Sequence, residues 1–255
     1  MRTKLSPRLF LTSIICLSPL VSSCRNDDET TDCNTYEWEY TGVTAPDTWQ
    51  LCSADCGGQA QSPVDIANAV ADNNLNALVA DYQAAPIGLR NNGHTIQFDY
   101  GAGSTLNVNG EDYELLQFHF HALSEHTVSG QQYPLEVHLV HQNAAGALAV
   151  VGVFFEPGSD NAFLENFAGN LPASENDTYD SADMVNPEDM LPTDDGYYTY
   201  DGSLTTPPCS EVVTWLVMKS PVEASSGQIQ EMQDVLQNNY RPVQALNGRG
   251  ITEFN

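Results

Sequence analysis

The chain has 255 residues, enough to bury a large core, and its composition is strongly acidic. Its 34 aspartates and glutamates, against 8 lysines and arginines, give a formal net charge of -26 at pH 7. Such a surface repels phosphate backbones and anionic lipid headgroups, which argues against nucleic acid as a partner. A carboxylate-rich, lysine-poor surface fits a saline or extracellular setting, and it fits plain solubility equally well.

The first 23 residues have the pattern of a secretory signal peptide. Arg2, Lys4 and Arg8 precede the apolar run LFLTSIICLSPLV, which is too short to be taken as a membrane-spanning helix. The run ends in VSSC at 21–24, which resembles the lipobox of bacterial lipoproteins, where the cysteine is acylated and becomes the mature N-terminus. The alternative is ordinary cleavage nearby, which leaves Cys24 as a spare thiol.

We therefore expect an exported protein whose only contact with membranes is a lipid on Cys24. Arg25 stands where an aspartate marks inner-membrane retention in many bacteria, so we expect the outer membrane, with the protein facing the periplasm or the cell surface. The polar residues 24–35 are expected to form an acidic, solvated tether.

Export to an oxidising compartment changes the interpretation of the cysteines. Four of them remain once the signal peptide and the lipobox cysteine are set aside: Cys33, Cys52, Cys56 and Cys209. An even number allows three disulfide pairings, and the spacing leaves all three open. The CxxxC pair at 52–56 also resembles half of a metal site, but the chain has no second pair of this kind, so disulfides are favoured.

From about residue 36 onward, short β-rich segments alternate with turns rich in Gly, Pro, Asn and Asp. They are HTIQFDY, STLNVNG, YELLQFHFH, LEVHLVH, ALAVVGVFFE and SEVVTWLVMKS. The period-2 alternation predicts a large, mostly antiparallel sheet. NAFLENFAGNL and SGQIQEMQDVLQNN predict short helices, and the acidic stretch 174–196 predicts a surface excursion. Because no internal linker is visible, we predict a single domain over 36–255.

All six histidines lie between residues 94 and 141. The alternation of side chains between the two faces of a strand predicts that three of them lie together. On a strand, Gln117, His119 and His121 share one face. The same parity places Glu136 beside His138 on one face of LEVHLVH. If the two strands pair, His138 completes a three-histidine cluster, and three imidazoles with one open position are typical of catalytic zinc. Gln117 and Glu136 are then placed to hold the ring N–H groups.

Two other interpretations of these histidines are open. A hydrogen-bonded polar pair is the common explanation of an isolated HxH on a strand. The spacing of His119, His121 and Glu125 also matches the core of the cupin motif, in which Glu125 would bind iron on a jelly roll. That motif expects glycine where Tyr113 and Gln132 stand, so the match is partial.

Eight short blocks are similar to those of α-class carbonic anhydrases of the secreted bacterial kind. In chain order they are QSPVDI, NNGH, QFHFH, SEHTV, EVHLVH, GSLTTPPC, VTWLV and NYRPVQ, and they span about residues 36–255. The resemblance implies a central twisted, largely antiparallel sheet of about ten strands with short peripheral helices. It also implies a zinc enzyme that reversibly hydrates carbon dioxide to bicarbonate and a proton by means of zinc-bound hydroxide.

The resemblance also assigns residues. The zinc (Zn2+) ligands become His119, His121 and His138, as parity had suggested. Thr205 matches the threonine that accepts a hydrogen bond from the hydroxide, and Glu125 matches the carboxylate that holds the threonine's hydrogen. The proton shuttle is matched by His94, and the polar groups that order water toward it are matched by Tyr40, Asn92 and Gln97. The substrate-binding positions are matched by Val140, Val150, Leu204, Thr206 and Trp215.

The resemblance and the sequence also give expectations for the disulfides, for the two remaining histidines and for the oligomeric state. Secreted bacterial members have cysteines at the positions of Cys52 and Cys209, so this bridge is implied, and Cys33–Cys56 is left as the second. His126 and His141 fall outside the catalytic roles and are expected to be hydrogen-bonded structural residues. Related domains that have lost zinc ligands serve as binding or adhesion modules, but every matched catalytic position is intact here. Both a monomer and a homodimer are compatible with the sequence.

Overall fold

The alternating segments of the sequence form a large mixed β-sheet in the computed structural model, which describes residues 31–255. The expected signal peptide and the lipobox cysteine Cys24 lie outside the described residues, as does most of the expected tether over 24–35. Asp32–Asn255 is one compact unit, which begins a few residues before the expected domain start. No helix in the described part of the chain is long and apolar enough to cross a membrane.

Most of the regular structure consists of strands. The strands are β1 (Asp65–Ile66), β2 (Val70–Ala71), β3 (Val79–Asp81), β4 (Ala85–Asn91), β5 (Ile96–Asp99), β6 (Thr105–Val108), β7 (Glu111–His121), β8 (Thr127–Val128), β9 (Gln131–Gln132), β10 (Leu135–Asn143), β11 (Leu148–Pro157), β12 (Thr178–Val185), β13 (Tyr197–Gly202), β14 (Val213–Met218), β15 (Val222–Ala224) and β16 (Thr252–Phe254). The α-helices are α1 (Ala162–Glu165) and α2 (Ser226–Leu236). The 3-10 helices are Gly42–Thr44, Trp49–Leu51, Ala54–Gly57 and Pro187–Met190.

The main sheet is built on a path of strands in the order β12-β4-β5-β7-β10-β11-β14-β13-β16-β2. Neighbours on this path are antiparallel except β11 with β14 and β16 with β2, which are parallel. Strands β3, β6 and β15 join the path from the side, and β1, β8 and β9 form a small separate sheet. The predicted mostly-β fold with a largely antiparallel central sheet is thereby confirmed.

Strands β7 and β10 are antiparallel neighbours at the centre of the sheet, as predicted. His138 lies directly opposite His119, and Glu136 lies opposite His121. Phe118 and Phe120 point to the other face, where both side chains are buried in the main hydrophobic core. Period-2 parity therefore separates an apolar face from a face that carries imidazoles.

Helix α2 begins with a capping box and packs through one apolar stripe. The Ser225 hydroxyl accepts from the Gln228 N–H, and the Gln228 side chain accepts from the Ser225 N–H. Ile229, Met232 and Leu236 are buried at helical spacing. The predicted helix over 161–171 is much shorter than expected, because α1 ends at Glu165 and the chain continues in turns.

The sequence predicts that the acidic stretch 174–196 is a surface excursion over the sheet, but the stretch contains an edge strand of the sheet itself. Strand β12 pairs with β4, with a register shift between Ser181 and Met184. Most of its side chains are exposed, including Asp180 and Asp183. Charged residues and bulges are common on edge strands because they discourage pairing with other chains, and this also makes such a strand look like a loop in the sequence.

The expected disulfide pairing is wrong. The bridges are Cys33–Cys52 and Cys56–Cys209. Cys56 and Cys209 are buried together against Trp49, whereas Cys52 is only partly buried and lies on the side of the N-terminal segment. Cys52 directly follows one 3-10 helix and Cys56 lies in the next, so either cysteine was compatible with the sequence as the partner of Cys209, and burial decides between them.

His141 is buried in the core, on the face of β10 away from the other histidines. Its Nε2 accepts a hydrogen bond from the Tyr82 hydroxyl at 2.8 Å, and its Nδ1 lies 3.3 Å from the Ala149 carbonyl. Burial lowers the pKa of His141 from 6.5 to about 4. The expectation of a hydrogen-bonded structural histidine agrees with these contacts.

We predict that His141 makes folding sensitive to acid. As the pH falls from about 6.5 to about 4, the unfolded chain binds a proton that the folded chain does not, so stability is lost across this window by up to about 3 kcal/mol. Urea unfolding between pH 4 and pH 8 should show a smaller acid-induced loss for His141→Gln than for the wild type. Tyr82→Phe keeps the buried imidazole and should keep the loss. An unchanged pH dependence in His141→Gln contradicts this prediction.

Candidate functional site

Three imidazoles meet on the polar face of β7 and β10. One ring nitrogen of each of His119, His121 and His138 lies within 4.8 Å of the other two. The ring centroids are 4.6 to 5.3 Å apart, and the rings are tilted or edge-on to each other rather than stacked. These rings therefore converge on one point, as ligands of a single metal ion do.

The second nitrogen of each ring faces an acceptor oxygen. The pairs are His119 Nδ1 with Gln117 Oε1 at 2.8 Å, His121 Nδ1 with the Asn239 carbonyl at 2.7 Å, and His138 Nε2 with Glu136 Oε1 at 2.8 Å. Donation to these oxygens fixes the tautomers and leaves His119 Nε2, His121 Nε2 and His138 Nδ1 as the converging atoms. His121 Nε2 is buried and has no hydrogen-bond partner within residues 31–255. The donor set thus fits a zinc ion.

Electrostatics keeps two of these rings neutral. Burial lowers the pKa of His119 well below its ordinary value, and burial also lowers the pKa of His121. Burial acts in the same direction on His138, but the carboxylates of Glu136 and Glu125 outweigh it and raise the pKa. Neutral imidazoles offer lone pairs, so the low pKa values suit a metal site.

Glu136 is a fully buried carboxylate with four donors. Its Oε1 accepts from His138 Nε2 and His126 Nδ1, both at 2.8 Å. Its Oε2 accepts from the main-chain N–H groups of Glu125 and His126 at 2.8 and 2.9 Å. Burial raises the pKa of Glu136, but His126 and His138 outweigh it and hold the pKa well below its usual value. His126 also bonds the Tyr200 hydroxyl at 2.6 Å, which agrees with its predicted structural role.

Glu125 is buried beside the triad, and Thr205 is also buried. Glu125 Oε1 accepts from the Arg241 main-chain N–H at 2.8 Å. Its Oε2 lies 3.6 Å from His121 Nε2 and 3.8 Å from His138 Nδ1. The hydrogen bond that the sequence implies between Thr205 and Glu125 is absent from the described residues, and Glu125 Oε2 faces the imidazoles instead.

A cleft leads from the triad to His94. This cavity of about 140 Å³ is lined by His119 and His121 and by six other predicted residues: Tyr40, Asn92, His94, Gln97, Gln117 and Thr206. The His94 ring is half-buried and stacks on Trp38, with centroids 3.7 Å apart. Burial lowers the pKa of His94, and Glu39 and Glu175 oppose this effect. The predicted shuttle and its predicted water-ordering groups therefore share one space with two of the imidazoles.

The predicted substrate wall forms one apolar surface beside the triad. Val150 lies between Val140 on β10 and Trp215 on β14. Leu204 packs against the same cluster, and the Trp215 ring centroid is 4.8 Å from that of His138. The Trp215 indole N–H donates to the Ser203 carbonyl at 3.0 Å, which fixes the ring.

Two participants were missed by sequence analysis. Asn239 holds His121 through a main-chain carbonyl, and Arg241 holds Glu125 through a main-chain N–H. Every residue except proline has both main-chain groups, so side-chain identity carries almost no signal for either contact.

Comparisons with known proteins agree with the site. The sequence model of eukaryotic-type carbonic anhydrases matches residues 44–255. A carbonic anhydrase of Nostoc sp. is 40% identical over 228 residues, which is 86% of each chain. One from Klebsiella pneumoniae is 41% identical over 223 residues, 85% of this chain and 90% of that one. The solved α-carbonic anhydrase of Photobacterium profundum is similar with a TM-score of 0.81 and 44% identity, over 85% of this chain and all of that one.

Proposed function

Since this chain belongs to the carbonic anhydrase family, we propose that it reversibly hydrates carbon dioxide to bicarbonate and a proton with a zinc ion at His119, His121 and His138. The observation that carries the proposal is the convergence of three imidazole nitrogens whose partner nitrogens are all held by acceptors. The cupin interpretation is wrong, since the family is a different one.

The three proposed ligands are imidazoles rather than anions, so they add no negative charge to the ion. When bound there, zinc lowers the pKa of water to about 7 and supplies a nucleophile at neutral pH, an effect for which carbonic anhydrase itself is the reference case. Gln117, Glu136 and the Asn239 carbonyl hold the imidazoles in position through their second nitrogens.

Glu125 and Thr205 are proposed to orient the attacking oxygen. In this proposal Glu125 accepts the hydroxyl proton of Thr205, so that Thr205 Oγ1 presents lone pairs to the nucleophile. Two observations support this role: the Arg241 N–H holds Glu125 Oε1 in place, and Glu125 Oε2 has no hydrogen-bond partner within residues 31–255. Thr206, on the cleft wall, is proposed to contact bicarbonate.

The apolar surface of Val140, Val150, Leu204 and Trp215 is proposed to receive carbon dioxide. Carbon dioxide is neutral and apolar, so the net charge of -26 does not hinder its approach. Bicarbonate is an anion, and a negatively charged protein favours its release over its capture.

His94 is proposed to carry the proton from the cleft to solvent, with Tyr40, Asn92 and Gln97 ordering the water between. Imidazole suits this role because its ordinary pKa of about 6.5 lies close to that of the activated water. The cleft that His94 shares with His119 supports the proposal.

We predict that the metal depends on His138 and not on Glu125. His138→Ala should lose zinc and hydratase activity together. Glu125→Ala should keep zinc, while kcat falls by roughly a hundredfold because the nucleophile loses its orientation. Metal quantitation and stopped-flow hydration, with and without a chelator, measure both. His141→Gln alters the opposite face of the same strand and should keep its zinc. Full zinc occupancy in His138→Ala would remove it from the ligand set.

A second prediction isolates proton transfer. His94→Ala should lower kcat at least about tenfold in dilute buffer, because the proton loses its carrier. The kcat/KM for carbon dioxide should be nearly unchanged, because it does not depend on that step. Imidazole at high concentration should restore much of kcat. An unchanged kcat in dilute buffer means that protons leave by another route.

The location of the protein is proposed in two steps. Two disulfides within the described residues indicate an oxidising compartment such as the periplasm or the cell exterior. We further propose that a lipid on Cys24 holds the protein to the outer membrane as a monomer or a homodimer. This proposal rests on the lipobox-like VSSC.

The anchor is tested by changing Cys24. The wild type should partition with membranes and incorporate a clickable fatty acid, whereas Cys24→Ala should do neither, because the acylated thiol is absent. Hydratase activity should be retained in both. Absence of label from the wild type ends the lipoprotein proposal.

A further inference from the structure

Asn239 is a buried residue that follows the end of α2. The helix ends at Leu236, and Gln237 has a φ of +49°, which turns the chain back toward the sheet. The Asn239 side chain is only 3% exposed, although it is polar and close to the cleft. A buried amide must satisfy its donors and its acceptor, so its partners reveal what it holds together.

Asn239 contacts the two segments that carry His121 and His94. Its main-chain carbonyl accepts from His121 Nδ1 at 2.7 Å, and its Oδ1 accepts from the Ala122 N–H at 2.8 Å. Its Nδ2 donates to the Phe120 carbonyl at 2.9 Å and to the His94 carbonyl at 3.0 Å. Both N–H groups and the oxygen of the amide are therefore satisfied, so rotation of the side chain would break three bonds.

The His94 backbone is thus fixed at both ends. Its N–H donates to Asn92 Oδ1 at 3.0 Å, and its carbonyl accepts from Asn239. The next residue, Thr95, donates its hydroxyl to the Phe120 carbonyl, which Asn239 also contacts. The backbone at His94 and the end of β7 are therefore both hydrogen-bonded to the buried side-chain amide of Asn239.

We infer that Asn239 is a positioning residue for proton transfer, which sets the place of His94 relative to the metal-binding end of β7. The inference rests on the proposed function. Proton movement through a few waters requires end points held at a fixed separation, and small displacements cost large factors in rate. The side-chain amide joins the His94 carbonyl to the backbone on either side of His121, while the main-chain carbonyl holds the His121 ring itself.

Because the side-chain amide and the main-chain carbonyl of Asn239 have different partners, a specific kinetic result is expected for Asn239→Asp. The substitution keeps the shape, the Oδ1 acceptor and the main-chain carbonyl, but it turns an oxygen toward the two carbonyls that the NH2 group served. We expect kcat in dilute buffer to fall roughly tenfold and imidazole to restore it. The kcat/KM for carbon dioxide should stay within about twofold, and zinc content should be unchanged.

A matched control is Asn186→Asp. Asn186 caps a 3-10 helix through Oδ1 and donates to the Tyr82 carbonyl through Nδ2, and it does not line the cleft. The Asn186→Asp variant should have the kcat and kcat/KM of the wild type, whatever the substitution does to stability.

A second measurement tests the position of the His94 backbone directly. In the metal-free protein, the main-chain amide NMR signals of His94 and Thr95 should shift in Asn239→Asp and not in Asn186→Asp. If Asn239→Asp does not fold, Asn239→Ala removes the amide without adding a carboxylate, and the same kinetic pattern is expected.

Two results overturn the inference. One is an unchanged kcat in dilute buffer. The other is a parallel fall of kcat and kcat/KM without imidazole rescue, which would assign Asn239 to the metal site or to folding alone. A wild-type protein without zinc-dependent hydratase activity would contradict the proposed function itself, whereas an active wild type with unaffected Asn239 variants contradicts only this inference.

Discussion

The candidate site depends on one buried carboxylate and its four donors. Glu136 is fully buried, and a charge in that position is costly unless its lone pairs are satisfied. Two imidazoles and two main-chain N–H groups satisfy them, so the same carboxylate fixes the His138 ring and the turn that begins at Glu125. Charge-assisted hydrogen bonds of this kind are short and directional. A histidine of the candidate metal site and the neighbouring Glu125 are thereby positioned by one group.

The second constraint is the register of β7 against β10. Val140 pairs with Gln117, but the next residue, His141, pairs with Leu115, so Leu116 is left without a partner as in a β-bulge. The extra residue changes the parity of β7. Leu115 and Phe118 can therefore both face the core, although they are three residues apart. Without this bulge, a strand of this length would bury its apolar side chains on one half and expose them on the other.

The features that could be predicted from the sequence are those that side-chain parity controls. Alternation alone placed His119, His121, Gln117 and Glu136 on the polar face, because strand geometry has a strict period of two. Other features escaped prediction for physical reasons. The acceptor for His121 is a main-chain carbonyl, which any residue supplies. The partner of the buried Cys209 depended on burial between two cysteines four residues apart. The charged edge strand β12 has too little apolar periodicity to be distinguished from a loop.

The segment 239–241 completes the site from far along the chain. Asn239 reaches His121 across 118 residues, and Arg241 reaches Glu125 across 116. Two anchors hold this segment in place. One is the apolar stripe of α2. The other is the buried Arg241 guanidinium, which donates to the Gln61 side chain and to the main-chain carbonyls of Ser62 and Cys56. Contacts of such long sequence separation carry a loop-closure entropy, so they form slowly compared with local contacts. The acceptor for His121 and the donor for Glu125 are therefore in place only when the C-terminal part of the chain has docked, so the geometry of the site depends on the whole fold rather than on β7 and β10 alone.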